Sequence, residues 1–122
     1  MEEIKVGEYV RDYDGFIVKV NEVQDYKEDD DIWYEEKILK GTWKSMVVKH
    51  SPNIIDLIEV GDYVNRREVV EFECEDETIL AFPIYTPDGL FNTIECYAPL
   101  EEFEIKTILT KEQFNNAMYE VK

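Results

Sequence analysis

At 122 residues the chain has the length of one ordinary domain, with enough Val, Ile, Leu, Phe, Tyr and Trp to bury a core without a cross-link or a metal. Its 29 acidic residues outnumber 13 basic ones, and the net charge of −16 repels nucleic acid and anionic membranes while attracting basic surfaces. Direct DNA or RNA binding is therefore not expected, and no apolar run reaches the roughly 18 residues of a membrane span.

The strand signals begin at once. Glu8 to Arg11 and Phe16 to Val23 read as a hairpin closed by Asp12-Tyr-Asp-Gly15, with Asp14-Gly15 supplying the positive-φ turn. Phe16, Val18 and Val20 alternate with Ile17, Lys19 and Asn21, a period of two. Residues 24–31 then form an acidic loop. A second hairpin is predicted from Ile32 to Leu39 and Thr42 to His50, turning at Lys40-Gly41. Ser51-Pro52-Asn53 breaks it, and Asn53 to Ile58 suits a short helical turn. Strands follow at Gly61 to Val64 and Glu68 to Glu75. A longer hairpin runs from Thr78 to Tyr85 and Leu90 to Tyr97, through Thr86-Pro87-Asp88-Gly89. A last strand spans Glu104 to Leu109. Thr110-Lys-Glu-Gln113 has the form of a capping box opening a short helix to about Ala117.

An internal echo runs through this pattern. Ile4-Lys-Val-Gly-Glu-Tyr-Val10 returns as Ile58-Glu-Val-Gly-Asp-Tyr-Val64, each copy leading into a β-rich segment. The Val-Gly-acid-Tyr-Val phrase looks like the opening of many SH3-like barrels. The expected fold is thus mainly β with one short C-terminal helix. It would be a single domain, 1–122, of two SH3-like antiparallel β-units, about 1–53 and about 58–122.

Cys74 and Cys96 lie in apolar or alternating runs and read as small hydrophobes, with a disulfide between them left open. The opening Met-Glu-Glu-Ile-Lys-Val has neither the basic start nor the apolar stretch of a signal peptide, so a cytoplasmic, reducing setting is expected.

Catalytic signals are sparse. His50 and Ser51 are sequence neighbours, and adjacent strand residues point to opposite faces, so they do not form a base and its nucleophile. No Gly-x-Ser-x-Gly elbow, phosphate-cradling glycine loop or Cys-x-x-Cys pair is present. Asp25, Asp29, Asp31 and Glu36 match positions 1, 5, 7 and 12 of a calcium loop. Lys27 at a ligand position and Asp30 in place of the turn glycine break that match. No metal, cofactor or catalytic residue is assigned. The expected activity is binding.

Two acidic groups are the candidate contact surface. The first is the segment with Asp25, Tyr26, Glu28, Asp29, Asp30 and Asp31. The second is the run in which Glu71, Glu73 and Glu75 alternate with Val70, Phe72 and Cys74, extended by Asp76 and Glu77 and joined by Glu101, Glu102 and Glu104. Alternate strand residues stand about 6.7 Å apart, two rises of about 3.4 Å along a DNA strand, so such a row imitates a phosphate backbone. Trp33 and Trp43 read as core residues of their hairpin, and Tyr26 as the exposed aromatic.

His50-Ser-Pro-Asn-Ile-Ile-Asp-Leu-Ile-Glu-Val-Gly-Asp-Tyr-Val-Asn65 and Ile105-Lys-Thr-Ile-Leu-Thr-Lys-Glu-Gln-Phe114 carry a resemblance, together with Lys5-Val-Gly-Glu-Tyr-Val-Arg11 and Asp14-Gly15. These blocks, about a third of the chain, resemble small uncharacterised proteins encoded by phages and prophages of low-GC Gram-positive bacteria. A glycine often follows Val-Asn in those proteins, where Arg66 stands here, so the turn there is expected to be rebuilt. The resemblance implies a phage accessory protein of the anti-CRISPR kind, a non-enzymatic inhibitor. Its partner would be a host nucleic-acid-processing protein such as a CRISPR effector nuclease. The alternative is a structural or regulatory phage protein that binds other phage proteins, with acidity serving solubility.

Overall fold

The computed structural model describes residues 3–88 and 91–117. In chain order they form β1 (Tyr9–Asp12), β2 (Ile17–Lys19), β3 (Glu22–Tyr26), β4 (Asp31–Lys37), β5 (Lys40–Trp43) and β6 (Val47–Ser51). There follow β7 (Tyr63–Val64), β8 (Arg67–Glu68), β9 (Val70–Cys74), β10 (Glu77–Asp88), β11 (Phe91–Pro99), β12 (Ile108–Leu109) and the helix α1 (Lys111–Ala117). Single 3-10 turns lie at Lys44–Met46, Ile54–Leu57 and Leu100–Glu102. The protein is mainly β with one short C-terminal helix, as expected. The strands form small three-stranded antiparallel sheets, and no barrel closes among the described residues. The chain divides into two compact units, residues up to Ile58 with the helix from Glu112, and Glu59–Lys111.

In the first unit β2-β1-β6 form one sheet and the meander β3-β4-β5 the other. Its core joins Ile4, Val10, Val18, Val20, Tyr34 and Val47, so the alternation of Val18 and Val20 does mark an inward face. Phe16, from the same alternation, is 54% exposed. The β1–β2 turn is organised by the buried Asp12. Its Oδ1 accepts the N–H groups of Asp14 and Phe16 at 2.9 and 3.0 Å, and its Oδ2 accepts the Thr42 hydroxyl at 2.9 Å. Gly15 closes that turn at φ 87°. Arg11 is fully buried. It donates to the Leu57 carbonyl at 2.9 Å and to Glu112 Oε2 at 2.6 Å, fastening the 3-10 turn and the start of α1 to β1.

Three expected boundaries move. The strand expected over Phe16 to Val23 breaks after Lys19, because Val20 turns the chain from one sheet into the next. The hairpin expected to turn at Lys40-Gly41 turns instead at Ile38-Leu39, with Leu39 at φ 65°. Its second strand stops at Trp43, and a 3-10 turn carries the chain to β6, which pairs with β1.

In the second unit β12-β7-β8 form one sheet and β9-β10-β11 the other. The expected Glu104 to Leu109 strand shortens to Ile108–Leu109, and the reason is Asn65. Its side chain accepts the N–H groups of Lys106 and Thr107 and donates to the Glu104 carbonyl, all within 3.2 Å, doing for that backbone what a strand partner would do. Asn65 and Arg66 take φ of 51° and 68°, so Arg66 stands in the left-handed region that favours glycine. The β10–β11 pairing reaches Asp88 opposite Phe91, and Gly89 of the expected turn lies outside the described residues. Cys74 and Cys96 are free and exposed, where burial was expected.

The sequence echo is a structural echo. Gly7 and Gly61 have φ of 98° and 94°. The N–H of each following acid donates to the carbonyl three residues back, Glu8 to Lys5 and Asp62 to Glu59, at 3.1 Å in both. Each acid's carboxylate then accepts the N–H of that same residue, Lys5 at 2.6 Å and Glu59 at 2.7 Å. A buried valine closes each motif. Val20 and Val69 donate to the carbonyls of Glu8 and Asp62, both at 2.8 Å, and accept from Gly7 and Gly61 at 2.8 and 3.0 Å. Strand order repeats as well, with β1 to β6 answered by β7 to β12 and a 3-10 turn before the sixth strand each time.

Candidate functional site

The segment expected as an acidic loop is the β3–β4 hairpin. Gln24 to Tyr26 belong to β3, residues 27–30 turn with Asp30 at φ 52°, and Asp31 begins β4. This geometry separates the acids. Asp25, opposite Ile32, lies on the inner face; Asp31, opposite Tyr26, lies on the outer one. They cannot share the calcium loop their spacing suggested. Among the described residues no three His, Cys, Asp or Glu side chains gather around a cation position.

Asp31 has a structural task. Its Oδ2 accepts the Ser45 hydroxyl at 2.7 Å and its Oδ1 the N–H groups of Ser45 and Ile32 at 3.1 and 2.9 Å, and the Ser45 bond holds this carboxyl below the usual range. Asp25, Glu28, Asp29 and Asp30 are exposed, and their carboxylates make no hydrogen bond or ion pair among the described residues. These four are among the solvated acids of the first unit.

Pairing fixes what stands beside them. Tyr34 and Thr42 are partners on the inner face and are buried, so Trp33 and Trp43, also partners, must face outward. The expectation that both tryptophans are core residues is corrected. Tyr26 and Trp33 each meet Trp43 edge-on, with centroids 5.3 and 5.1 Å apart, and all three rings keep solvent contact. Gly41 makes this possible: a Cβ there would sit 2.5 Å from the Trp33 ring. The glycine read as a turn is thus a flat seat for an indole. Tyr26, at 41% exposed, holds its hydroxyl on Gln24 at 2.6 Å. At the other end of β4, Ile38 and Leu39 stand exposed at a hairpin tip, which sequence patterning concealed because a turn of two apolar residues has no local signal.

In the second unit Glu71 and Glu73 do share a face of the edge strand β9, opposite Leu80 and Thr78. Glu75 leaves the row. It forms a two-residue turn with Asp76, at φ 49° and 68°, before Glu77 starts β10. Glu101 and Glu102 sit on the 3-10 turn after β11, and all of these acids are exposed. On the other face of β9, Phe72 stacks on Tyr97 at 4.5 Å, and Ala81 lies buried on that face.

His50 and Ser51 have separate partners. His50 Nδ1 meets Glu8 Oε1 at 2.9 Å, which together with the Lys5 N–H lowers the Glu8 pKa. Ser51 donates to Asp56 at 2.5 Å and accepts the Asn53 N–H at 3.0 Å. Two grooves lie in the second unit, one lined by Arg67, Glu68, Pro83 and Ile84, the other bounded by Asn65 and Phe103. Compared with known proteins, the chain matches no family model, no curated protein and no solved structure.

Proposed function

We propose that the protein works by binding a basic surface of another protein, as a phage-encoded, non-enzymatic inhibitor. The surface would be one that a host defence protein uses to hold nucleic acid, and the phage resemblance points to a CRISPR effector nuclease. The observation that supports this reading is a division of labour among the acids. Asp12, Asp31, Asp56 and Asp62 are consumed by turns and caps. Asp25, Glu28, Asp29 and Asp30 at one hairpin tip, and Glu71 and Glu73 on one strand, are left to solvent. Concentrated charge of this kind speeds encounter with Lys/Arg-lined grooves and makes it salt-sensitive.

The test is competition on a purified effector nuclease. Reversing Asp25, Glu28, Asp29 and Asp30 together to lysine should weaken the complex at least tenfold and flatten its salt dependence while the circular dichroism spectrum is kept. Binding that ignores both salt and charge reversal would instead favour the second reading, a phage structural or regulatory protein. That reading has its own observation: β3 and β9 are edge strands of their sheets and can pair with a partner strand.

A further inference from the structure

The outward face of β3-β4-β5 offers more than charge. Register puts Glu22, Gln24 and Tyr26 on the same side as Glu35, Trp33 and Trp43. Glu22 and Glu35 are direct cross-strand partners. Like charges so placed destabilise a sheet, and a cation lying across them removes the cost. Beside them stand three partly exposed aromatic rings in contact, whose faces attract cations, and guanidinium stacks on such faces better than ammonium. Trp33 Nε1 reaches Glu35 Oε1 at 3.4 Å, so ring and carboxylate adjoin. Two of the chain's own cations are directed elsewhere, Lys40 to Glu36 and Lys19 over the Tyr9 ring.

We infer that this face receives an arginine side chain from an extended basic segment of the partner. The guanidinium lies against Trp33 and Trp43, Glu22 and Glu35 meet its charge, and Tyr26 flanks its stem. The inference rests on the basic-partner reading and gives that partner's chemistry: arginine, presented on a strand or loop.

Trp33 and Trp43 are the chain's two tryptophans, so intrinsic tryptophan emission reports on this face alone. The intact protein is titrated at low salt with an octa-arginine and an octa-lysine peptide. Octa-arginine should change the emission saturably and bind at least fivefold tighter than octa-lysine. The double variant Glu22→Gln/Glu35→Gln should bind octa-arginine at least fivefold more weakly, and Tyr26→Leu about threefold. Glu71→Gln/Glu73→Gln removes the same charge from the second unit and should change affinity less than twofold. Equal loss in both double variants, equal affinity for the two peptides, or binding without a change in emission overturns the face and leaves the basic-partner reading standing. Failure of the unaltered protein to bind either peptide overturns both.

Discussion

The two copies of Ile-x-Val-Gly-acid-Tyr-Val build the same turn and fasten different things with it. In the first, Glu8 bridges back to the Lys5 N–H and outward to His50 on β6, half-buried. In the second, the shorter Asp62 bridges back to the Glu59 N–H and outward to the N–H of Lys111, the first residue of α1, and is fully buried. One carboxylate ties a strand to its sheet neighbour; the other holds the entry to a helix. The meanders diverge in the same way. The first carries two tryptophans and a tyrosine outward beside carboxylates, while the second places a Phe72–Tyr97 stack on the side of the buried Ala81 and Glu71 and Glu73 on the opposite face. A duplicated frame keeps the hydrogen bonds that make its turn and is free to change what the outer faces carry.

The comparison breaks first at the acids. Asp62→Ala leaves two backbone N–H groups without their acceptor and should cost about 3 kcal/mol. Urea unfolding measures it, and a loss no larger than that of Glu8→Ala would deny that burial separates the two copies. The glycines sharpen the likeness. A Cβ on Gly7 meets nothing within 4 Å, and on Gly61 only Lys111 at 3.6 Å, so the backbone angle alone is at stake. Gly7→Ala and Gly61→Ala should each cost about 1–2 kcal/mol, and a marked inequality in thermal unfolding would show that the turns are not equivalent. The smallest effect is in pH. The bond to His50 and the Lys5 N–H hold Glu8 below its ordinary value of 4.5. Its contribution is therefore present above that value and lost as pH falls through the lower folded one. The stability difference between the unaltered protein and Glu8→Gln should be about 1 kcal/mol at pH 6 and shrink toward zero as the pH falls below 4.5 and through the lower folded value. A difference that stays constant would assign the loss to packing. Asp31 and Glu36 are also lowered and tilt the background in the same direction; for Glu36, burial pushes upward, and the Lys40 ammonium, the Lys19 N–H and the Lys37 charge together outweigh it.

Several features were open to a reading of residues alone because their causes are local. Asp14-Gly15 marks a positive-φ turn through the absence of a Cβ, and Gly15 is there at φ 87°. Thr110-Lys-Glu-Gln announces a helix, and Lys111–Ala117 is one. Val18 and Val20 alternate because one side of the strand is core. The candidate surface was only half legible. Asp25 and Asp31 look alike in a run of acids, yet Ser45, fourteen residues beyond Asp31, makes Asp31 structural. Glu75 continues a period of two on paper, and the chain turns at that very position. The tryptophans look like core residues by type, and only the burial of Tyr34 against Val10 and Val20 sends them outward.

Class of fold, the turn at Asp14-Gly15 and the repeated motif were determined by the residues themselves, since each depends on backbone angles and neighbours within a few positions. Which carboxylates are spent on structure, and which side of a sheet a ring takes, was decided by tertiary pairing. A shift of one residue in register inverts every side chain of a strand, and the partners that set the register lie far along the chain.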